Sequence, residues 1–301
     1  MSHVDRYAPS PTSDLHLGNL RTAVAGWLLA RAAGGRWLMR VEDLDRDRTA
    51  AAAGVEARQL RDLRSLGLDW DGEIVRQSER LDLYRDAVAG LPTYECFCTR
   101  REIAEAASAP HDGYRPYPGT CRTLTAHEIA ERRASRPPAI RVDAGGETFT
   151  VDDAHAGRVT GVIDDFVLVR NDGQFAYNLA VVVDDVAMGV THITRGDDLL
   201  SSAPRQAWLT SRLGGAPARY AHIGLVVNAE GRRLAKRDGA VSMADLHPLD
   251  SGSVLAQLTS SLGLGPCRTT REALAAMPGD QRFYAGAFWS EGTLRLISPA
   301  R

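Results

Sequence analysis

Val4-Asp5-Arg6-Tyr7-Ala8-Pro9-Ser10-Pro11-Thr12-Ser13-Asp14-Leu15-His16-Leu17-Gly18-Asn19 reads as a strand end, a Pro/Ser/Thr turn and a helix start. Residues 4–8 suit a buried strand. Pro9 and Pro11 stop it, because a proline nitrogen cannot donate to a sheet ladder. Ser13 or Asp14 can cap the helix that follows. That helix is expected to run to about Ala33, with Leu20, Val24, Trp27 and Leu28 on one face. Its N-terminus offers free backbone N–H groups and the positive end of the helix dipole, which together stabilise an anion. His16 stands at that end, and Gly18 lets a ligand approach the backbone closely.

Outward from this stretch, Gly34-Gly35 ends the helix. Residues 36–42 read as a strand, giving a βαβ start and hence a parallel sheet. Open α/β sheets bind ligands at the carboxyl ends of their strands, and both Ser10 and Glu42 lie at such ends. Glu42 there suits a cationic ligand group. Amphipathic helices are expected over residues 49–66 and 79–90, and another over 123–135. Residues 140–151 and 162–169 are strand-like. Asn171-Asp172-Gly173 signals a hairpin. Its return strand is expected to carry Phe175, Tyr177 and Leu179, running into the apolar stretch 180–183. A short strand at 191–195 ends in Arg195. A helix then begins at 196–198 and contains Arg205, an arginine able to pair bidentately with a substrate carboxylate. Tyr177 can offer its hydroxyl to the same ligand. A short helix is expected at 254–262, and residues 266–301 give no clear pattern.

Three of the four cysteines, Cys96, Cys98 and Cys121, fall in one window; the fourth is Cys267. Thiolates at Cys-x-Cys spacing can share a zinc ion, which prefers four tetrahedral ligands. Three cysteines leave a fourth position open to His111, Tyr117 or water, and on general chemistry His111 is the better ligand. The loop 110–118, rich in proline and glycine, needs something to fix it, and a metal would do so.

The chain has 301 residues, 44% hydrophobic and 25% charged, a globular composition. The net charge of −2 excludes a bulk polycation, so any nucleic-acid contact must come from local arginine patches. No apolar run is long enough to span a bilayer and no signal pattern opens the chain. A cytoplasmic protein is expected, in which metal ligands or free thiols are favoured over disulfides. Of the 36 Lys plus Arg residues, only Lys236 is lysine. A lysine kept among arginines marks a place where a compact, flexible point charge serves and a planar fork does not. It lies in Gly231-Arg232-Arg233-Leu234-Ala235-Lys236-Arg237-Asp238-Gly239, a basic loop able to close over a polyphosphate.

These motifs together resemble a known family. Arg6-Tyr7-Ala8-Pro9-Ser10-Pro11-Thr12 with His16-Leu17-Gly18-Asn19 resembles the first signature of class I aminoacyl-tRNA synthetases, in its glutamyl version. Arg233-Leu234-Ala235-Lys236-Arg237 resembles the second signature, the lysine loop. Tyr177-Asn178-Leu179-Ala180 and Thr194-Arg195-Gly196-Asp197-Asp198 match glutamyl-type stretches between them, in order. The resemblance spans roughly residues 4–265. Fewer than about seventy residues follow the lysine loop, too few for an anticodon-binding domain of usual size. That shortness and the Cys-x-Cys…Tyr-x₃-Cys pattern are similar to the truncated glutamyl-queuosine tRNA(Asp) synthetase family.

The resemblance implies an α/β, Rossmann-type class I synthetase core with an inserted zinc-containing subdomain, a short helical C-terminal part and no anticodon-binding domain. The implied division is 1–92 and 161–245 for the two halves of the core, 93–160 for the insert and 246–301 for the C-terminal segment. It implies activation of L-glutamate with ATP and transfer to the queuosine base in the anticodon of tRNA(Asp), by a chain acting as a monomer. The implied glutamate-binding residues are Arg6, Tyr7, Ala8, Pro9, Ser10, Glu42, Tyr177 and Arg195, with Glu42 on the amino group and Arg195 on the side-chain carboxylate. His16, Gly18, Asn19 and Lys236 fall to ATP, with His16 and Lys236 catalytic and Mg²⁺ accompanying the nucleotide. One structural Zn²⁺ falls to Cys96, Cys98, Tyr117 and Cys121, so Tyr117 replaces His111 on resemblance. Asn19 stands where the family has histidine and Ala235 where it has serine. The alternatives are a truncated glutamyl-tRNA synthetase charging a tRNA 3′ end, and a catalytically inactive tRNA-binding module.

Overall fold

The structure is a computed structural model that describes residues 2–99, 101–103, 117–228, 241–246, 248–279, 283, 285–290 and 292–297. In chain order the first elements are β1 (Val4–Tyr7), α1 (Leu17–Ala32), β2 (Arg36–Val41), α2 (Arg46–Ala50), α3 (Val55–Ser65), β3 (Val75–Arg76), α4 (Leu81–Ala89) and β4 (Thr93–Cys96). Then come α5 (Ala126–Ser135), β5 (Ala139–Val142), β6 (Thr148–Asp153), β7 (Gly157–Val162), β8 (Val167–Val169) and α6 (Tyr177–Ala187). The chain continues with β9 (His192–Gly196), α7 (Ala203–Arg212), β10 (Arg219–Ile223) and β11 (Val226–Val227). It closes with α8 (Ser251–Ser261), α9 (Thr270–Ala276), β12 (Ala287–Ser290) and β13 (Thr293–Leu296).

The expected parallel sheet is present. β1 pairs in parallel with β2, and β2 with β3. A second sheet runs β7-β6-β10-β9, with β9, β10 and β6 mutually parallel. The two sheets meet edge to edge. Thr191 N–H donates to Val4 O at 2.9 Å, and Thr194 N–H donates to Asp5 Oδ1 at 3.2 Å. The resulting run is β3-β2-β1-β9-β10-β6, and chain order reverses direction between β1 and β9. Such a switch point opens a crevice at the strands' carboxyl ends.

α1 packs across β1, β2 and β9. Leu17, Leu20, Val24, Trp27 and Leu28 are all buried there, and full burial of each such side chain stabilises by about 2 kcal/mol. Arg21 is buried on the same helix and ties it to the C-terminal part. Its guanidinium donates to Gly224 O at 2.6 Å, to Ser261 O at 3.0 Å and to Ala285 O at 2.7 Å. Antiparallel β4, β5 and β8 form a separate small sheet beside the cysteine window. β6 lies within the 93–160 segment yet pairs with β10 of the central sheet.

Several expectations are corrected. The cap of α1 is His16, because Asp14 is drawn to Arg58 at 2.7 Å and Ser13 O accepts from Gln59. The helix expected over 49–66 is two helices, parted at Gly54, which takes φ +75°, a left-handed conformation that suits glycine. The hairpin turn at 171–173 forms, but its return is one bridge, Val169 to Phe175. The apolar stretch that follows is helix α6, not strand. An unbroken apolar run carries no periodicity to separate the two, and packing against α4 and α7 decides. The 140–151 stretch divides into β5 and β6. Residues 266–301, unreadable in sequence, add β12 and β13, which pair onto β11.

Candidate active site and metal centre

The crevice at the switch point is a cleft of about 550 Å³. It brings together Arg6, Tyr7, Ala8, Pro9 and Ser10 from the end of β1, and Glu42 from just past β2. His16, Gly18 and Asn19 of the α1 start, Tyr177 of α6 and Arg195 of β9 also line it. Every glutamate-site residue implied by the resemblance therefore lines one cavity, and His16 lines it too. Lys236 and His111 lie outside the described residues. The chain on both sides of the lysine segment borders this region. Val226 lines the cleft, and Leu17 N–H donates to Val241 O at 2.9 Å.

The signature loop is held by residues that sequence reasoning did not find. Gln59, buried on α3, donates to Ser10 O at 3.1 Å and Ser13 O at 2.7 Å. Glu42 N–H donates to Pro9 O at 3.0 Å. Beneath the loop lies a buried ionic network. Asp185 Oδ1 accepts from Arg6 Nε at 3.0 Å and from an Arg40 terminal nitrogen at 2.5 Å. Arg40 also donates to Glu42 Oε1 at 3.0 Å. Asp184 accepts from Gln77, Arg80 and Tyr84 at 2.9, 2.7 and 2.8 Å. Three arginines (Arg6, Arg40, Arg80) thus face three carboxylates (Glu42, Asp184, Asp185). Burial pushes the Asp185 carboxyl up, but Arg40 and Arg6 outweigh it and hold it below its ordinary range. At Glu42 burial wins over Arg40 and the carboxyl is raised. The only advance hint was that Asp184-Asp185 interrupt an apolar run.

The start of α1 differs from the expectation of free donors. His16 Nδ1 accepts from Gly18 N–H at 3.1 Å, and Asn19 Oδ1 accepts from His16 N–H at 3.2 Å. Asn19, in place of the family's histidine, thus closes a capping box. Because Nδ1 accepts, the proton of the neutral His16 ring sits on Nε2. Gly18 makes room for that ring: a Cβ there would sit 3.0 Å from His16 Cε1. Its space is filled by histidine, not reserved for a ligand.

Arg195 is buried, and its guanidinium donates to three uncharged acceptors. These are His222 Nε2 at 3.0 Å, Gln206 Oε1 at 2.5 Å and Leu199 O at 3.1 Å. Burial lowers its pKa, but an arginine keeps its charge at neutral pH. Arg205 takes no part in the cleft; its guanidinium pairs with Asp164 at 2.7 Å.

The second cluster is the cysteine window. Cys96, Cys98 and Cys121 place their sulfurs within 4.8 Å of one another, a spacing that can hold a metal ion. Cys98 Sγ lies 3.5 Å from Cys121 Sγ, and the Tyr117 oxygen lies 3.4 Å from Cys96 Sγ and 3.6 Å from Cys98 Sγ. Cys121 N–H donates to that phenol oxygen at 2.8 Å. Arg132 donates to Cys121 Sγ at 3.7 Å, and the Arg141 guanidinium stacks 3.7 Å over the Tyr117 ring. Burial pushes the Cys98 thiol up to about 12, so its ionisation calls for a cation. The three thiols can hold a metal ion, and the Tyr117 oxygen lies beside them.

Residues 3–264 match the family described as tRNA synthetases class I (E and Q), catalytic domain. A glutamate tRNA ligase from Elizabethkingia meningosepticum, solved with its amino acid, superimposes with a TM-score of 0.79 at 25% identity. That match covers 96% of this chain and 67% of the ligase. The chain belongs to the class I tRNA synthetases of the glutamate and glutamine type. A glutamyl-Q tRNA(Asp) synthetase of Cutibacterium acnes is 60% identical over 264 residues, covering 86% of this chain and 76% of that protein. One from Nocardia farcinica is 57% identical over 278 residues, covering 90% and 88%. Within the class the chain is a member of the glutamyl-Q tRNA(Asp) synthetase family. No helix among the described residues is long and apolar enough to cross a membrane.

Proposed function

We propose that this chain activates L-glutamate with ATP and transfers the glutamyl group to the queuosine base in the anticodon of tRNA(Asp). The observation that carries the reading is the convergence of Arg6, Glu42, Tyr177 and Arg195 on one cleft that His16 also lines. Glu42 takes the α-ammonium, and Arg195 takes the side-chain carboxylate. Three neutral acceptors orient Arg195 without cancelling its charge, which suits an acid over an amide. Tyr177 adds a hydroxyl to the same ligand.

The α-carboxylate oxygen attacks the ATP α-phosphorus. A new P–O bond forms as the bond to the β-phosphate bridge breaks, and pyrophosphate leaves. A nucleophile of the queuosine base then attacks the acyl carbon, and AMP departs. In the first step the chain positions reactants and stabilises charge. His16 presents its Nε2–H and the dipole of α1 to the phosphates. Lys236 completes the nucleotide site from the segment joining Val226 to Val241. Mg²⁺ accompanies the ATP and supplies charge neutralisation on its phosphates.

Cys96, Cys98, Cys121 and Tyr117 would hold one zinc, which would tie the end of β4 to residues 117–121. In the proposed division, 1–92 and 161–245 activate glutamate, 93–160 handles tRNA, and 246–301 buttresses α1. The chain acts as a monomer in the cytoplasm, where its tRNA substrate is. The test is ATP–pyrophosphate exchange without tRNA. Glutamate-dependent exchange, lost in Lys236→Ala, supports the reading. Absence of exchange in the wild type overturns it.

A further inference from the structure

We propose that His222 and Asp153 are positioning residues that aim the Arg195 guanidinium, and so set the preference for an acidic amino acid over its neutral amide. The proposal rests on the reading of Arg195 as the partner of the substrate side chain. It assigns the aim of that arginine to two residues that never touch the substrate.

The three side chains stand on three neighbouring strands. Arg195 on β9 is directly opposite His222 on β10 in the parallel register. Asp153 ends β6 on the other side of β10, where Tyr220 is its register partner. Arg195 Nε donates to His222 Nε2 at 3.0 Å, and His222 Nδ1 lies 2.6 Å from Asp153 Oδ2. An arginine nitrogen only donates and a carboxylate only accepts. The ring between them must therefore be the neutral tautomer, with its proton on Nδ1 and its lone pair on Nε2. A proton on Nε2 would set donor against donor and turn Arg195 away.

Asp153 is built to stay where it is. Its Oδ1 accepts from His155 N–H and Ala156 N–H, each at 2.8 Å, and its Oδ2 accepts from His222 N–H at 3.1 Å. The His155 ring, through Nδ1, lies 2.6 Å from His222 O and holds the same strand from the far side. The two remaining hydrogen-bond acceptors of Arg195, Gln206 Oε1 and Leu199 O, are also uncharged. Gln206 is itself fixed, since its amide donates to Asn178 Oδ1 at 3.0 Å. The carboxylate that selects the histidine tautomer sits one residue removed from the arginine. The charge of Arg195 is thus directed by neutral contacts and left for an anion in the cleft.

The test is ATP–pyrophosphate exchange by the full chain with His222→Leu, His222→Gln, Asp153→Asn and Arg195→Gln, each folded by circular dichroism. His222→Leu removes the acceptor. It is expected to raise the glutamate KM roughly tenfold or more, to hold the ATP KM within about twofold and to narrow the glutamate-to-glutamine ratio. His222→Gln keeps an acceptor within reach and recovers most of the loss. Asp153→Asn gives an intermediate rise and stands in should His222→Leu not fold. A glutamate KM at the wild-type value in His222→Leu or Asp153→Asn, while Arg195→Gln raises it, overturns the positioning role. So do equal losses in His222→Leu and His222→Gln. A glutamate KM unmoved by Arg195→Gln overturns the underlying reading instead.

Discussion

Arg6 and Arg40 donate to the same oxygen, Asp185 Oδ1, at 3.0 and 2.5 Å. One carboxylate on α6 thereby fixes the first residue of the signature loop and the arginine that reaches Glu42. Removing it leaves two buried guanidiniums short of a counter-charge. Asp185→Ala is expected to lose about 3–5 kcal/mol of stability, measured by urea unfolding. Glutamate-dependent exchange is expected to fall with it. In Arg40→Met/Asp185→Leu part of the stability returns while exchange stays low. A single mutant as stable as wild type would show that the network is ornamental.

Asp5 yields a pH test. Its carboxyl is buried, accepts from Arg6 N–H at 2.7 Å and Thr194 N–H at 3.2 Å through Oδ1, and leaves Oδ2 without a partner. Burial raises its pKa to about 6, so the folded chain prefers the neutral acid. The associated stability is whole below the ordinary carboxylate value and is lost as pH rises through 6. Asp5→Asn cannot ionise. Relative to wild type it is expected to gain about 2–3 kcal/mol between pH 4 and pH 8. Denaturant midpoints for both chains at the two pH values check this; a difference that does not change with pH contradicts it.

Metal analysis addresses the cysteine cluster. The purified chain is expected to carry about one zinc, lost in Cys96→Ser/Cys98→Ser, because thiolates at this spacing bind zinc strongly. Tyr117→Phe keeps the ring under Arg141 but removes the oxygen. It is expected to release zinc to a competing chelator more readily than the wild type. A fully folded wild type without metal contradicts the assignment.

Gly18 gives a sharper test of the α1 start than His16 itself. A methyl group there meets the His16 ring at 3.0 Å, and the ring must give by a few tenths of an ångström. Gly18→Ala is expected to raise the ATP KM roughly tenfold, a loss typical of a mis-set polar contact, with glutamate KM little changed. Alanine is the better helix former, so the melting temperature is not expected to fall far. An unaltered ATP KM would separate His16 from the nucleotide.

Much of the site was legible because its residues sit on short, ordered signatures at strand ends and helix starts. The family resemblance assigns Arg6 to Ser10, Glu42, Tyr177 and Arg195 to one ligand, and all line one cleft. The supporting residues were not legible. Gln59, Arg40, Asp185, His222 and Asp153 act across sequence gaps that no local spacing reveals. The α6 stretch reads as strand in sequence because a fully buried apolar segment shows neither period. The His16 cap is not legible because serine and aspartate have the stronger propensity, whereas here Arg58 pairs with the Asp14 carboxylate and Gln59 holds the Ser13 backbone carbonyl.

Transfer of activated glutamate to the anticodon of tRNA(Asp) is read by acid-gel analysis of tRNA(Asp) after incubation with ATP and labelled glutamate. The tRNA is compared with and without queuosine, and with its 3′-terminal adenosine removed. The predicted result is label on queuosine-containing tRNA(Asp) whether or not the terminal adenosine is present, and none on tRNA lacking queuosine. Label that requires the terminal adenosine and ignores queuosine would contradict the account.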